Sequence, residues 1–551
     1  MSEFKKQEMV NWFAPGSLLK IGLETVLSSL FGRYADRREI QAALTKDTKV
    51  FSYGEQDAIW FDYVADLGDG FNPTYTVATA LAQDKLNIDH LDLPRGRFLI
   101  MGGDQVYPSA SLENYHNRLK GPYSHALPKP DTASDSDPHL YVLPGNHDWY
   151  DGLTAFLRQF VQRRYIGGWR TQQQRSYFAI ALPHNWWLLA IDIQLNADLD
   201  SPQKDYFKDC IAQFKPGDKV MIVSAEPTWI EEGLSGKAVA PSLQYIEQQV
   251  DKSGAEVLIN LAGDFHYYAH YQSEKRHRIT CGGGGAFMHG THHLTEDLPV
   301  KESGREVNYT LNDNVFPSKS DSLKTLCGNL LFPIRNKAMA ATLGVFYTLL
   351  VLTFQQYGIE HQYDWFANLS NRAIELTPIL QNMPTLFLAL VMLVAMIAFY
   401  DPLPSQSPIK GRLERFFIGG GHGLLHSALA IYLAHLIIPL IYQASWPSAV
   451  LTVLVYWFFA SLAGGFLFGL YLLLSNLFFK AHGDAAMSSN RIEDYKSFLR
   501  FHLDESGQLT VYVIGFKQVI RSWVLNADRK YSTEVDINDY VHMVDHFSVK
   551  K

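Results

Sequence analysis

Cysteine is almost absent, with three in 551 residues: Cys210, Cys281 and Cys327. So few exclude a disulfide framework, and no charged-then-apolar leader with a small-residue cleavage site opens the chain. Together these lead us to expect soluble parts that face the cytosol. A basic surplus is missing as well. With 48 Lys and Arg against 56 Asp and Glu the formal net charge is −8. Proteins that grip nucleic acid concentrate cations to neutralise phosphates, so no nucleic-acid partner is expected. The third scarcity is local. From Phe416 to Phe479 there is no Asp, Glu, Lys or Arg, although the mean hydropathy of the whole chain, −0.09, resembles that of a soluble protein. Charge crowds instead into residues 1–337 and 480–551, so part of this chain is a membrane protein.

Four segments carry the roughly 20 apolar residues a spanning helix needs: residues 338–357, 379–400, 418–442 and 449–479. Lys and Arg set the expected orientation. Lys324, Arg335 and Lys337 precede the first segment, Lys410, Arg412 and Arg415 fill the second loop, and Lys480, Arg491 and Lys496 follow the fourth, while the opposite loops hold only Arg372. By the positive-inside rule both soluble ends face the cytosol, in an integral protein of the cell or inner membrane. In the third segment His422 and His426 lie four residues apart on one face, with His435 deeper. A metal, proton or headgroup contact is one reading; a hydrogen bond to a neighbouring helix is the simpler one.

Residues 1–50 carry one amphipathic pattern, Leu19, Leu23, Val26, Leu27, Leu30 and Tyr34 behind Pro15-Gly16-Ser17. Lys20 and Glu24 keep it from spanning. It is expected to pack on the domain that follows, with a membrane surface as the other reading.

Residues 51–300 alternate short apolar runs with polar loops, as α/β or sandwich domains do. Ala58–Ala65 runs into Asp66-Leu67-Gly68-Asp69, Phe98–Met101 into Gly102-Gly103-Asp104-Gln105-Val106-Tyr107, and Leu140–Leu143 into Gly145-Asn146-His147-Asp148. Val220–Val223 then meets Ser224-Ala225-Glu226, and Val257–Leu261 meets Gly263-Asp264-Phe265-His266. One Asp after a strand is an ordinary turn or cap. Five such ends put carboxylates, an amide and imidazoles on one sheet edge, where crowded negative charge calls for a cation.

This succession, Asp-x-Gly, Gly-Asp-x-x-Tyr, Gly-Asn-His-Asp, Val-x-x-ligand and Gly-x-x-His, resembles the calcineurin-like metallophosphoesterases over about residues 57–295. Gly68 stands where most of that family has His, and Tyr107 follows Asp104 by three; this paired change resembles the purple acid phosphatases. The resemblance implies a metallophosphoesterase-type β-sandwich flanked by helices, an α/β fold, here joined to the α-helical transmembrane domain. It implies Asp66, Asp104, Tyr107 and His266 on a first metal, and Asp104, Asn146, Glu226 and Asp264 on a second, with His147 beside the phosphate and Asp148 behind. Glu226 and Asp264 replace two imidazoles of the family pattern. Such a harder, more negative second site favours Mn, Fe or Mg over Zn, so two divalent or mixed-valence ions are expected.

Two features lie outside those motifs. Gly282–Gly285 and His289, His292 and His293 beyond them form either a phosphate-side loop, with His289 touching substrate, or a tight strand exit. Residues 301–337 read as a linker. Residues 480–551 carry a β-hairpin expected to add to the phosphoesterase domain, which would bring His482 near the site. The whole reads as a membrane-anchored phosphoester hydrolase whose partners are the lipid bilayer and a phosphoester, either lipid-linked or soluble. The alternative is a non-catalytic metal- or phosphate-binding membrane sensor with a degenerate second site.

Overall fold

The computed structural model describes residues 3–31, 38, 49–193, 199–302, 304–361, 381–404, 407–443, 445–526 and 531–549. The chain divides into two compact units. A sheet unit comprises Met1–Val10, Lys20–Ser322 and Arg491–Lys551, and a helical unit Asn11–Leu19 and Leu323–Asn490.

The first helix, α1 (Pro15–Phe31), leaves the described members of its leucine stripe uncovered. Leu19, Leu23 and Val26 are exposed, and Ile21, Glu24 and Thr25 are the half-buried side chains. For Leu19, Leu23 and Val26 the expected packing on the following domain is thus corrected: the more polar side faces inward. The stripe's later members lie outside the described side chains.

Strands β1 (Ile59–Val64), β2 (Phe98–Met101) and β3 (His139–Val142) run parallel as neighbours in an eight-stranded sheet. Strands β4 (Lys219–Val223) and β5 (Glu256–Ala262) are parallel neighbours in a nine-stranded one. Side chains of a strand alternate between faces. Phe98 and Ile100 of β2 enter the core between the sheets with Phe61, Tyr63 and Tyr141, against Leu188, Met221, Ile259 and Leu261 of the other sheet. Leu99 and Met101 enter the outer core, beneath the helix Phe71–Ala82. Helices Ser201–Ile211 and Pro241–Ser253 cover the far face of the nine-stranded sheet. Burial on both faces is why these strands are continuous apolar runs. The fold is a mixed α/β sandwich flanked by helices.

The C-terminal region is part of this sandwich. Strands β6 (Lys496–Leu503), β7 (Leu509–Phe516) and β8 (Val541–Val549) extend the eight-stranded sheet, β6 pairing antiparallel with β1. Arg500, fully buried on β6, donates from Nε and Nη2 to the two Asp62 carboxylate oxygens on β1 at 2.6 and 3.0 Å, and from Nη1 to Leu93 O at 2.7 Å.

The expected linker is structured. Asp297–Glu302 and Arg305–Leu311 form a hairpin at the edge of the nine-stranded sheet, and Leu298, Val300 and Tyr309 bury against Trp229. Residues 480–490 belong to the helical unit, because Asn329, Asn336 and Arg335 hydrogen-bond to Ala486 O, Ser489 O and Asn490 Oδ1 at 3.0, 3.0 and 2.7 Å.

In the helical unit the principal helices are α2 (Lys337–Glu360), α3 (Met383–Phe399), α4 (Gly420–Ile441) and α5 (Trp446–Phe479). Three stretches, Lys337–Gly358, Ile409–Ile441 and Trp446–Phe479, are long and apolar enough to cross a bilayer. The expected span at 379–400 is met only by the 17-residue α3, at 1.5 Å per residue about 26 Å against a core of about 30 Å. Residues 362–380 are outside the described ones. Small residues let the helices approach: a Cβ at Gly423 of α4 would lie 2.7 Å from Leu393 Cα of α3, and one at Gly465 of α5 would lie 3.0 Å from Ala340 Cβ of α2. His426 Nδ1 shares a 2.6 Å hydrogen bond with the Tyr347 hydroxyl on α2, and its Nε2 lies 2.9 Å from His422 Nε2. The simpler reading, bonding to a neighbouring helix, describes His426; His422 bonds within α4 and stacks its ring on Tyr471 of α5 at 3.6 Å.

Candidate functional site

Parallel strands present their C-terminal ends together, and that is where ligands bind in open α/β sheets. Asp66, Asp104 and Asp264 follow β1, β2 and β5 in the left-handed region, with φ of 60°, 48° and 67°. Asp tolerates this conformation because its short polar side chain bonds locally, yet non-glycine residues at positive φ are uncommon and cluster where function holds them. The turns are laced together. Asp66 N–H donates to Gly103 O at 3.0 Å, Leu67 N–H to Asp104 O at 2.9 Å, and Asp264 N–H to Asp66 Oδ2 at 2.9 Å.

Tyr107 stands at the centre. Its hydroxyl oxygen lies 2.9 Å from Asp66 Oδ1, 3.2 Å from Asp104 Oδ2 and 3.1 Å from His266 Nε2. His266 Nδ1–H donates to Phe287 O at 2.7 Å, so its Nε2 is a lone pair. Three acceptors therefore crowd one hydroxyl proton. All four side chains are buried, and burial makes every charge costly. It pushes Asp104 to about 7 and, with the charges of Asp104 and Asp264, holds Asp66 well above the carboxylate range. Burial also raises Tyr107 and holds His266 well below the usual imidazole value. A cation among these oxygen and nitrogen donors would relieve that crowding, so Asp66, Asp104, Tyr107 and His266 fit a metal by their chemistry. They form a hydrogen-bonded cluster, not a preformed cage: among the described residues no three His, Cys, Asp or Glu side chains are gathered as a metal site.

The other residues expected on a metal border this cluster. The Asp104 charge, after burial and Glu231, raises half-buried Glu226, and Asp264 raises Asp66 and Tyr107. Asn146 Oδ1 accepts from His147 N–H at 3.0 Å, and its Nδ2 donates to the Tyr150 hydroxyl at 3.4 Å. His147 N–H also donates to Asp104 Oδ1 at 2.9 Å. The His147 ring gives its Nδ1 proton to Pro108 O at 2.7 Å, leaving Nε2 basic, and burial lowers it to about 4. It is neutral at pH 7, an acceptor first; a neighbouring phosphate dianion would offset burial and let it hold the proton an acid needs.

Asp148 is a positioning group. Its Oδ2 accepts from the Gly145 and Gln105 N–H groups at 2.9 and 3.2 Å, and its Oδ1 from the Tyr115 hydroxyl at 2.5 Å, which pins the loop after β3 to that after β2. Burial and the Asp104 charge push it to about 8. Tyr115, Gln105 and Tyr150 were not read from the sequence, since Gln105 fills a variable position of its motif and Tyr115 and Tyr150 lie in none. Fully buried Lys496 is a further omission. Burial lowers it to about 8 against the pull of Asp494 and Asp69.

The glycine run is the tight strand exit. Gly282 N–H donates to Tyr267 O at 3.2 Å, Gly284 N–H to Ala65 O at 2.8 Å and Ala286 N–H to Asp66 O at 2.9 Å. A Cβ on Gly282 would overlap Asp66 Oδ2. The Gly282 and Gly284 amides are thus committed to carbonyls, which favours the strand-exit reading over the phosphate-side one. His289 backs His266, with rings stacked at 3.9 Å and Nδ1 accepting from His266 N–H at 3.2 Å. His292 Nδ1 shares a 2.6 Å hydrogen bond with Ser322 Oγ. His482 belongs to the helical unit, where its Nε2 lies 2.9 Å from the Tyr471 hydroxyl and its ring stacks on Phe399 at 4.7 Å.

Glycine is also required at Gly263, where a Cβ would lie 2.5 Å from Ala65 Cβ and 2.6 Å from Asp66 Oδ2. Gly263→Ala is expected to cost about 1–3 kcal/mol, as overpacking does, and to displace the Asp66 carboxylate. Thermal unfolding reads the first effect and metal affinity the second. An unchanged affinity would mean that Asp66 holds no metal.

No family model matches the chain, and no curated protein matches it. Among solved structures, GAP50, described as the anchor in the inner membrane complex of Plasmodium, aligns at 14% identity over 48% of this chain and 93% of its own, with a TM-score of 0.33. PhoD aligns at 12% identity over 42% of this chain and 58% of its own, with a TM-score of 0.26.

Proposed function

We propose that the chain is a membrane-anchored, metal-dependent phosphoester hydrolase with a dinuclear site facing the cytosol. The observation that carries the reading is the convergence of Asp66, Asp104 and His266 on the Tyr107 hydroxyl within 2.9–3.2 Å. Asp66, Asp104, Tyr107 and His266 would hold one ion, and Asp104, Asn146, Glu226 and Asp264 a second. Bound there, the ions would supply a nucleophilic water at neutral pH and charge stabilisation for the phosphoryl oxygens. The chain's own residues do the rest. His147, fixed through Pro108 O, offers Nε2 to the phosphoryl group or leaving oxygen. Asp148 and Tyr115 hold the Asn146-His147 turn in place, and the glycine run excludes bulk from behind Asp66.

The test is metal content of detergent-purified protein, with hydrolysis of an aryl phosphate and a phosphodiester under added Mn²⁺, Mg²⁺ or Fe²⁺. Turnover with bound metal is expected. Bound metal without turnover would leave the alternative, a metal- or phosphate-binding sensor, which the replacement of two imidazoles by Glu226 and Asp264 favours; neither metal nor turnover would leave only phosphate binding. Tyr107→Phe is expected to weaken metal affinity by at least the roughly 10–100-fold that loss of a supporting group costs. If the ion is ferric, it also abolishes a visible charge-transfer band.

A further inference from the structure

Helix α1 wears its apolar side outward. At 100° per residue Leu19, Leu23 and Val26 share one side and Ile21, Glu24 and Thr25 the other. Leu19 is 76%, Leu23 57% and Val26 53% exposed, and a Cβ on Gly22 between them would meet nothing within 4 Å. The inward side is engaged beside the candidate site. Thr25 hydrogen-bonds the Tyr150 side chain, and the Glu24 charge acts on the same phenol. Tyr150 in turn packs edge-on against His147, ring centroids 4.9 Å apart, and receives the Asn146 amide. The first turn of α1, through Leu19, belongs to the unit that carries the spans. There Phe13 packs edge-on against Phe332 and Phe468 at 5.2 and 5.8 Å, and Leu331 and Ile334 beside Phe332 are themselves exposed.

An apolar helix side turned to the exterior marks an interaction surface, and in a chain with its own bilayer-crossing helices the apolar medium at hand is lipid. We propose that α1 is an interfacial helix, lying in the headgroup layer with Leu19, Leu23 and Val26 in the acyl boundary. The substrate it serves is an amphiphile whose phosphoester sits at the bilayer surface and reaches the site past Glu24, Thr25 and Tyr150. The substrate part rests on the hydrolase reading above; the interfacial placement does not.

The experiment has two arms on the full chain in phosphatidylcholine vesicles. In the first, Leu23→Cys in a Cys327→Ser background carries an environment-sensitive fluorophore. Quenching by spin-labelled lipid is expected, independent of protein concentration. A water-like spectrum, or shielding that disappears on dilution of the protein and so reports a second copy, overturns the placement. In the second, Leu19→Ser/Leu23→Ser/Val26→Ser is assayed on vesicles doped with phosphatidic acid and on water-soluble aryl phosphate. A fall of about tenfold or more on the lipid, with the soluble rate unchanged, is expected; equal loss on both overturns the substrate assignment. Lipid quenching in a wild type that hydrolyses neither phosphoester would sink the hydrolase reading alone.

Discussion

Asp104→Asn is expected to lower kcat/KM for an aryl phosphate by on the order of 10³, the several kcal/mol that a metal-bound oxygen cluster contributes to a transition state. The same change should make the metal-free protein more stable than wild type at alkaline pH. Burial raises Asp104 from 3.8 to about 7. The folded state therefore keeps a proton that the unfolded chain releases between those values. For a carboxyl shifted upward, the favourable contribution is full below the unfolded value and is lost as pH rises through the folded one. Above about pH 7 the wild type carries a buried charge that asparagine lacks, so the two stability curves converge on acidification and separate on the alkaline side. Added divalent cation should reverse their order by holding the carboxylate ionised. Thermal unfolding of chelator-treated protein at acid and alkaline pH, with and without metal, reads all of this. A variant less stable than wild type without metal would contradict the crowded, cation-deficient cluster.

Arg500→Met is expected to destabilise the sheet unit by about 3–5 kcal/mol, because removing one partner of a buried pair leaves the other charged and unsolvated. Asp62 would be stranded 2% exposed, and Leu93 O would lose its donor. The position matters because β6 is the strand that joins the C-terminal residues to β1, and β1 leads into Asp66. Adding Asp62→Leu to Arg500→Met should return most of the loss, since an apolar pair in place of a buried ion pair is often neutral. Chemical denaturation of the single and double variants measures the difference. If the double variant is no better than Arg500→Met alone, the cost lies in packing and not in the stranded charge.

Short continuous apolar runs such as Phe98-Leu99-Ile100-Met101 announce a sheet buried on both faces, and a charge-free stretch such as Phe416–Phe479 announces helices in an apolar medium. Both are local properties of the chain, so the α/β class and the spanning segments were legible. The span at 379–400 was less so, because hydropathy counts apolar residues and does not say where a helix begins; α3 begins at Met383. The hairpin Asp297–Leu311 runs across the expected boundary at 300 into the expected linker; it was not legible because Lys301, Glu302, Arg305 and Glu306 cluster charge about its turn while its strands lie half exposed at a sheet edge.

At the candidate site, residue types were legible and relations were not. Asp66, Asp104, Tyr107 and His266 stand out in sequence as polar groups behind apolar runs. That one hydroxyl serves three acceptors depends on distances across 200 residues of chain, as does the closing of the Gly284 and Ala286 amides onto Ala65 O and Asp66 O. In sequence Asp148 reads as a group behind His147; which partners it holds, Gly145, Gln105 and Tyr115, only the structure supplies.

By itself the sequence determined what periodicity and composition encode: a two-faced sheet domain, apolar helices, and strand ends dense in metal-seeking groups. Tertiary structure alone decided which side of α1 faces out, that His289 backs His266 and that His482 lies among the helices. It also decided that Arg500 closes on Asp62. Each of these depends on pairing between residues far apart in the chain, where burial and the matching of one donor to one acceptor select among partners that local pattern leaves equivalent.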